Sequence, residues 1–272
     1  MTILSLPIAA VVAAACLSSP TASGDPQAQA RGNTTFCFDL YQQLRDRDGN
    51  LFFSPYSIST ALAMTYGGAR GETEAEMAAV LHLSGEQDAV HGAFSHLQTQ
   101  LNAVQDKGNV QLSIANSLWA QNNYSFLDTF LDLTKSRYGA GVRFVDFVGN
   151  TEAARVEINT WVEEQTKEKI KDLIKQGMLE PSTVLVLCNA IYFKGDWLNQ
   201  FKKERTRDAD FFVTSEKSIQ VPMMNESITV KFRRFDGFSA IELPYAGNDL
   251  SMVVFLPEQK DGLKAFEERL NL

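Results

Sequence analysis

The residues best suited to chemistry are few and scattered. His82, His91 and His96 supply the only imidazoles of the chain. An imidazole beside a thiol or hydroxyl can act as a general base, and paired imidazoles can hold zinc. His91 and His96 stand five positions apart, however, where a spacing of four would put both rings on one helix face. With no clustered cysteines beside them they read as solvated helix-face side chains, and no metal site is expected. Cys188 becomes a nucleophile only where a histidine meets it. It lies in the apolar run Thr183–Phe193, where a thiol usually packs and stays inert. Glu163 and Glu164 fall on a charged helix face and need no catalytic role. The sequence holds no G-x-S-x-G elbow, H-E-x-x-H pair, P-loop or G-x-G-x-x-G turn. The chain is therefore not expected to be an enzyme, and no cofactor is expected.

The composition narrows the field further. With 44% hydrophobic and 21% charged residues, the chain has the core-forming content of a globular protein, which excludes general disorder. Lys and Arg number 25 against 33 Asp and Glu, a net charge of −8. Phosphate backbones reward clustered cations, and here the basic runs at 167–175 and 202–207 are interleaved with acids. Nucleic acid is not expected as a partner. Cys16, Cys37 and Cys188 do not form the paired set of a disulfide framework. Free buried thiols at Cys37 and Cys188 are expected, with a bridge between them as the alternative.

The first thirty residues differ from the rest. Ile3 to Leu17 form an apolar run of signal-peptide length, too short for a comfortable membrane span. The stretch SSPTASGDPQAQA follows, small and turn-prone, as a cleavage site and linker would be. Residues 1–30 are accordingly expected to be a signal peptide and mature-end linker, and the protein to be secreted. No Lys or Arg precedes the apolar run, and Ala13-Ala14-Ala15-Cys16 has the cast of a bacterial lipoprotein signal. Lipid anchoring through Cys16 is thus the alternative in a bacterial host. No other segment is long and apolar enough to span a membrane.

The elements follow from periodicity and punctuation. Phe36, Cys37, Leu40, Tyr41 and Leu44 recur at helical spacing up to the turn Asp48-Gly49-Asn50. Leu51-Phe52-Phe53 reads as a short buried strand. Ser54-Pro55 opens a helix with Ser as cap and Pro at its first position, running to Gly67-Gly68. Further helices fit 72–81, 88–104, 126–138 and 151–169, the last with Ile158, Trp161, Val162 and Gln165 on one face. Strands fit 111–119, 211–214, 218–221, 228–232, 239–243 and 250–256. The continuously apolar 183–193 predicts a strand in mid-sheet with both faces covered. Helices crowd the first half and strands the second, which predicts an α+β fold with large antiparallel or mixed sheets. No repeat or composition break follows residue 31, so 31–272 is expected to be a single domain.

Three groups of residues resemble one family, the serpins. NLFFSPYSISTALAMTYGGARG, residues 50–71, is similar to the family's strand followed by its buried helix B. NAIYFKGDWLNQF, residues 189–201, fits the serpin signature N-x-x-Y-F-K-G-x-W-x-x-x-F at Asn189, Tyr192, Phe193, Lys194, Gly195, Trp197 and Phe201. QVPMM at 220–224 and YAGNDLSMVVFLP from Tyr245 resemble later serpin strands in family order, so the resemblance extends from Asn33 to Leu272.

The resemblance implies a serpin fold: the helix A to H region, a large central sheet A, and sheets B and C. It also implies an inhibitor that works as a suicide substrate. A protease attacks an exposed reactive-centre loop, an acyl-enzyme forms, and the cleaved loop inserts into the main sheet, carrying the protease with it. By position, Ser54, Ser57 and Asn189 match the shutter beneath the point where the sheet opens, and Trp197 matches the breach where insertion begins. The helix at 151–169 resembles helix F, which lies across the sheet. Read locally, Ser54 is a helix cap, Asn189 a strand residue bonding its neighbours, and Trp197 a core aromatic.

Target serine or cysteine proteases are the implied partners, in covalent complex, with the protein otherwise expected to be a monomer. A heparin-type polyanion is not expected, because the helix matching the family's basic helix D has one Lys and no Arg over 88–107. The hinge, the reactive bond and the last strands would follow Leu272 in the family, so the chain is expected to be a C-terminally incomplete record of a longer protein. A non-inhibitory serpin that binds or carries, an inactive fragment, and a hydrolase using Cys188 are the alternatives. Asn33-Thr34-Thr35, Asn123-Tyr124-Ser125 and Asn225-Glu226-Ser227 are glycosylation sequons, meaningful in a eukaryotic secretory pathway.

Overall fold

The computed structural model describes residues 9–13, 25–47, 49–107 and 109–270. Along the chain these form β1 (Ala9–Ala13), α1 (Pro26–Leu44), α2 (Pro55–Tyr66), α3 (Glu72–Val80), α4 (Gln87–Asp106), β2 (Val110–Gln121), α5 (Asp128–Tyr138), β3 (Val142–Val145), α6 (Phe147–Gln165), β4 (Leu185–Gly195), β5 (Arg207–Phe212), β6 (Ser218–Met223), β7 (Lys231–Phe235), β8 (Phe238–Pro244), β9 (Ser251–Pro257) and α7 (Leu263–Glu267). This is the expected α+β mixture. It divides into two compact units, one from the described residues of 18–103 and 111–193, the other from those of 1–17, 104–110 and 194–272.

The first unit holds a three-stranded sheet in the order β3-β2-β4, with β2 and β3 parallel and Leu118 facing Val142. One face of the sheet carries α6. Trp119, Val145, Ile158, Trp161, Val162, Cys188 and Ala190 close that core. A second core gathers Ala63, Met64 and Tyr66 of α2, Val90 and Phe94 of α4, and Tyr138 of α5, with Leu187 of β4 packed against it. Side chains alternate across a strand, so Val186, Cys188 and Ala190 point to α6 while Leu187 and Asn189 point to α2. That alternation sets where the polar residue of β4 arrives.

Two helices start in the same way. Ser54 accepts a hydrogen bond from the Ser57 amide at 3.3 Å, with Pro55 next to it, and this opens α2 as expected. Asp25 accepts from the Gln27 amide at 2.9 Å, with Pro26 next to it. Aspartate is as good a cap as serine, so α1 begins about ten residues before the first periodic apolar position, and residues 26–30 are helical rather than linker.

Two other expectations are corrected. Leu51-Phe52-Phe53 pairs with no strand among the described residues, and Phe52 is 92% exposed; an apolar triplet becomes a buried strand only where a ladder partner meets it. Among the described residues the strand at 183–193 is not in mid-sheet: β4 ends the strand order there, and most of its residues are half-buried. Its apolar run is accounted for by the cores on its two faces. The short β3 follows the αL turn at Gly139 and was not anticipated, since four residues with two exposed carry little pattern.

The second unit contains a four-stranded sheet ordered β1-β9-β8-β7 and the antiparallel pair β5-β6. β8 and β9 pair antiparallel with Ala240 facing Phe255. Most of the N-terminal apolar run lies outside the described residues, but Ala9–Ala13 pairs antiparallel with β9, Ala9 opposite Phe255. β7 begins at Lys231, three residues later than expected, and all five of its residues are exposed. Among the described residues no helix is long and apolar enough to cross a membrane.

Candidate functional site

The structure brings together the residues that the sequence marks on α2 and β4. α2 is buried on nearly every side, including Ser57, Ser59 and Thr60. Buried hydroxyls require partners. Thr60 donates to the Tyr56 carbonyl at 2.7 Å, within the helix. Ser57 donates instead to Oδ1 of Asn189. Asn189 then donates through Nδ2 to Oδ1 of Asn116 on β2 at 2.6 Å. The result is a polar chain from a buried helix through β4 to β2, on the sheet face opposite α6. Ser54 stands one turn before Ser57 and serves as the cap. The chain is also incomplete. Asn116 Nδ2 is buried without a protein partner, as is Ser59 Oγ elsewhere on α2, and each such group costs roughly 1–3 kcal/mol.

Asn116 was not identified from the sequence. The available signal was an asparagine at the middle of the strand VQLSIANSLWAQ, of which only Gln111 is exposed, a placement that requires a partner.

On the opposite face, the segment after α6 is tied back to that helix. Arg155 donates to Asp172 Oδ1 at 2.9 Å and to the Ile174 carbonyl at 2.7 Å, while pairing with Glu152. Asn159 accepts from the Ile174 amide and donates to its carbonyl, both at 2.9 Å. Hydrogen bonds from Lys175 and Arg155 hold the Asp172 carboxyl below its ordinary range. Between these ties the backbone enters the left-handed region at Lys167, Glu168 and Asp172, with φ of 50°, 60° and 49°. Residues with a Cβ adopt that region at a cost. Lys167 also bonds Gln111 at 2.7 Å and lies 5.1 Å over the ring of Tyr192, a signature residue.

The signature divides between the two units after Phe193. In the second unit, Trp197 stacks on Tyr245 with centroids 4.5 Å apart and planes 12° apart, and Phe201 meets it edge-on at 6.3 Å. Trp197 and Tyr245 also form an isolated antiparallel bridge. Tyr245 is buried beside Val110 and Leu250. Lys194 is exposed, and Gly195 is partly covered.

The histidines assemble no catalytic pair. His82 Nε2 meets Asp39 Oδ2 at 2.6 Å at the surface. His91 corrects the expectation of a solvated ring: it is 0% exposed, because Val90, His91 and Phe94 form the face that α4 buries. Its Nδ1 lies 2.6 Å from the Tyr138 hydroxyl, and Nε2 has no partner. Burial holds its ring pKa down to about 4, a drop that Asp88 opposes and that Arg137 and Arg70 reinforce. Cys37 and Cys188 are free thiols. Cys37 is half-buried rather than buried, while burial pushes Cys188 up to about 12, so it is protonated and inert at neutral pH. Among the described residues no group of three or more His, Cys, Asp or Glu side chains is placed to hold a metal ion.

Comparison with known proteins agrees with this architecture. The family model for serpins, serine protease inhibitors, matches residues 31–272. Human Serpin B4 is 40% identical over 259 residues, which cover 89% of this chain and 66% of that protein. The leukocyte elastase inhibitor of Xenopus laevis is 40% identical over 247 residues, covering 88% of this chain and 65% of that protein. The chain thus spans about two thirds of the length of the curated relatives it matches. Among solved structures, ovalbumin from emu, Dromaius novaehollandiae, superposes with a TM-score of 0.84 at 33% identity, covering 90% of this chain and 67% of that one. With helix α2 anchored under the sheet, the signature strand in place and the family model matched from residue 31 to 272, the chain belongs to the serpin family.

Proposed function

We propose that the full-length protein is a serine-type endopeptidase inhibitor acting as a suicide substrate, and that Ser54, Ser57 and Asn189 serve as its shutter and Trp197 as its breach. The protease's serine hydroxyl attacks the scissile carbonyl of a reactive-centre loop. An ester to the enzyme forms, the peptide C–N bond breaks, and the new amine leaves with the serine's proton. The freed loop then adds to the main sheet, and serpin loop insertion is itself a standard example of strand addition. Its backbone hydrogen bonds supply the gain, and the translocated enzyme is distorted before water can hydrolyse the ester. The hinge and reactive-centre loop would lie in the third of the relatives' length that this chain does not span.

The observation that carries this reading is the buried chain from Ser57 through Asn189 to Asn116, with Asn116 Nδ2 left unpaired at its end. A polar cluster with an unpaired group can have two arrangements, the one described above and one in which an added strand completes the bonding. β4, which bears Asn189, is the last strand of its sheet among the described residues. Helix α6 lies over the other face, and the strained segment 167–172 fits an element that must shift. The name of one relative, leukocyte elastase inhibitor, fits the same activity.

The test is incubation of full-length protein with elastase-, trypsin-, chymotrypsin- and subtilisin-like proteases. A complex that survives boiling in detergent supports the proposal. Clean cleavage by every one of them, with no complex, overturns it in favour of a serpin that binds without inhibiting.

We further propose that the protein is secreted, its apolar N-terminal run acting as a leader. Removal of that leader would leave the outer edge of β9, now paired with β1, without its neighbour.

A further inference from the structure

We infer that Asn123 carries an N-linked glycan whose first sugars cover an exposed aromatic ledge beside it. The inference rests on the proposed secretion and adds to it a site and an occupant.

The structure separates Asn33 from Asn123 and Asn225, both exposed, where sequence treats the three sequons alike. Asn33 lies in the middle of α1, and its Oδ1 is buried. A sugar on that amide would have to lift the side chain out of its packing. Asn123 sits at the turn that follows β2, closed by a hydrogen bond from the Tyr124 amide to the Gln121 carbonyl at 3.2 Å. Its φ is 66°, a conformation asparagine tolerates better than most residues. Asn122, Asn123, Tyr124 and Ser125 are all exposed. An attached chain therefore leaves the surface without disturbing the fold.

Beside the turn lies a surface that water wets poorly. Tyr124 meets Phe126 at 5.1 Å, and Phe126 in turn meets Phe130 at 6.2 Å and Phe144 at 6.4 Å. Tyr124 is 52% exposed, Phe144 50% and Leu127 75%. Exposed apolar side chains that cluster in this way mark a surface that something covers. A shallow depression lined by Asn122, Asn123, Tyr124, Asp146 and Val148 runs alongside. A pyranose ring suits that pair of surfaces. Its C–H face packs on an aromatic ring, and its hydroxyls bond to the amide and carboxylate groups.

The transfer balances. Asn123 Nδ2 attacks C1 of an oligosaccharide held on a lipid diphosphate. The C1–N bond forms, the C1–O bond to the diphosphate breaks, the lipid diphosphate departs, and the amide gives up one proton.

The test is to express full-length protein with its own N-terminus in a eukaryotic secretory host. Medium and lysate are then mapped by peptide mass after enzymatic deglycosylation in heavy-oxygen water, which marks each formerly occupied asparagine as aspartate. Secreted protein marked at Asn123 and unmarked at Asn33 supports the inference. Protein retained in the cytosol without any mark overturns the secretion proposal and this inference together. Secreted protein without the mark at Asn123 overturns this inference alone. Ser125→Ala, which removes the sequon and leaves the turn residue in place, should lose that glycan's mass and bind more of an apolar-surface dye. Unchanged dye binding would refute the covering role.

Discussion

Asn189 on β4 donates to Asn116 on β2 at 2.6 Å, joining residues 73 apart in the chain, and its own carbonyl oxygen accepts from Ser57 of α2. One side chain thereby satisfies a strand and a buried helix at once. Truncating it strands two partners in a site with little access to water.

Asn189→Ala is expected to destabilise the chain by roughly 2–6 kcal/mol, the summed cost of leaving the Ser57 hydroxyl and the Asn116 carbonyl unpaired. Ser57→Ala should cost about 1–3 kcal/mol, and the two changes should couple by at least about 0.5 kcal/mol in a double-mutant cycle. Urea midpoints measure all three. Strictly additive effects would show that the two residues do not act through one another.

His91 makes stability depend on acidity. Its pKa falls from 6.5 to about 4 on folding, so the unfolded chain binds more protons between those values. The stability tied to a neutral His91 is fully present above about pH 6.5 and drains away as pH falls towards 4, by about 3 kcal/mol in all. His91→Phe, which keeps the ring volume, should flatten that part of the profile. Urea unfolding at pH 7 and pH 4.5 makes the comparison, and an equal pH dependence in both proteins would exonerate the histidine.

Thiol labelling should separate the two cysteines. Burial raises both pKa values, Cys188 to about 12. With an aromatic disulfide reagent at pH 8, half-buried Cys37 should react first and Cys188 only on unfolding. Rapid native labelling of Cys188 would reopen the case for a nucleophile there. Cys188→Ser should change no hydrolytic activity, and should cost about 1–3 kcal/mol by placing a hydroxyl among apolar groups.

Arg155→Ala should loosen the segment between α6 and β4. That side chain reaches Asp172 and the Ile174 carbonyl together, while Lys167, Lys169 and Lys171 lie within the segment it restrains. Trypsin should cut there sooner in the variant than in the parent chain, with cleavage elsewhere unchanged, as local opening without global unfolding requires. An unaltered cleavage pattern would assign the restraint to Asn159 alone.

Much of the helical layout was legible because it is written in local rules. Ser54-Pro55 announced α2, and Ile158, Trp161 and Val162 announced the buried face of α6. What stayed hidden depended on partners distant in sequence. His91 looked solvated because its covering groups, Tyr66 and Tyr138, come from other helices. Phe52 reads as buried because apolarity cannot reveal that 51–53 meets no ladder partner among the described residues. Asn189 and Trp197 are found by resemblance, whereas Asn116, which completes the contacts of Asn189, belongs to no motif quoted from the sequence, and Tyr245 opens one of those motifs with nothing there to mark it as the partner of Trp197.

The alternation along β4 has a consequence for insertions and deletions. Even-numbered residues from Val186 to Ala190 serve the core under α6, and odd-numbered ones serve the side facing α2. Gaining or losing one residue before Asn189 would exchange the two sets. The carboxamide would enter the core under α6, and the Cys188 thiol would face Ser57. Changes of two residues preserve the parity. Within this strand, length variation among natural or engineered variants should come in even steps.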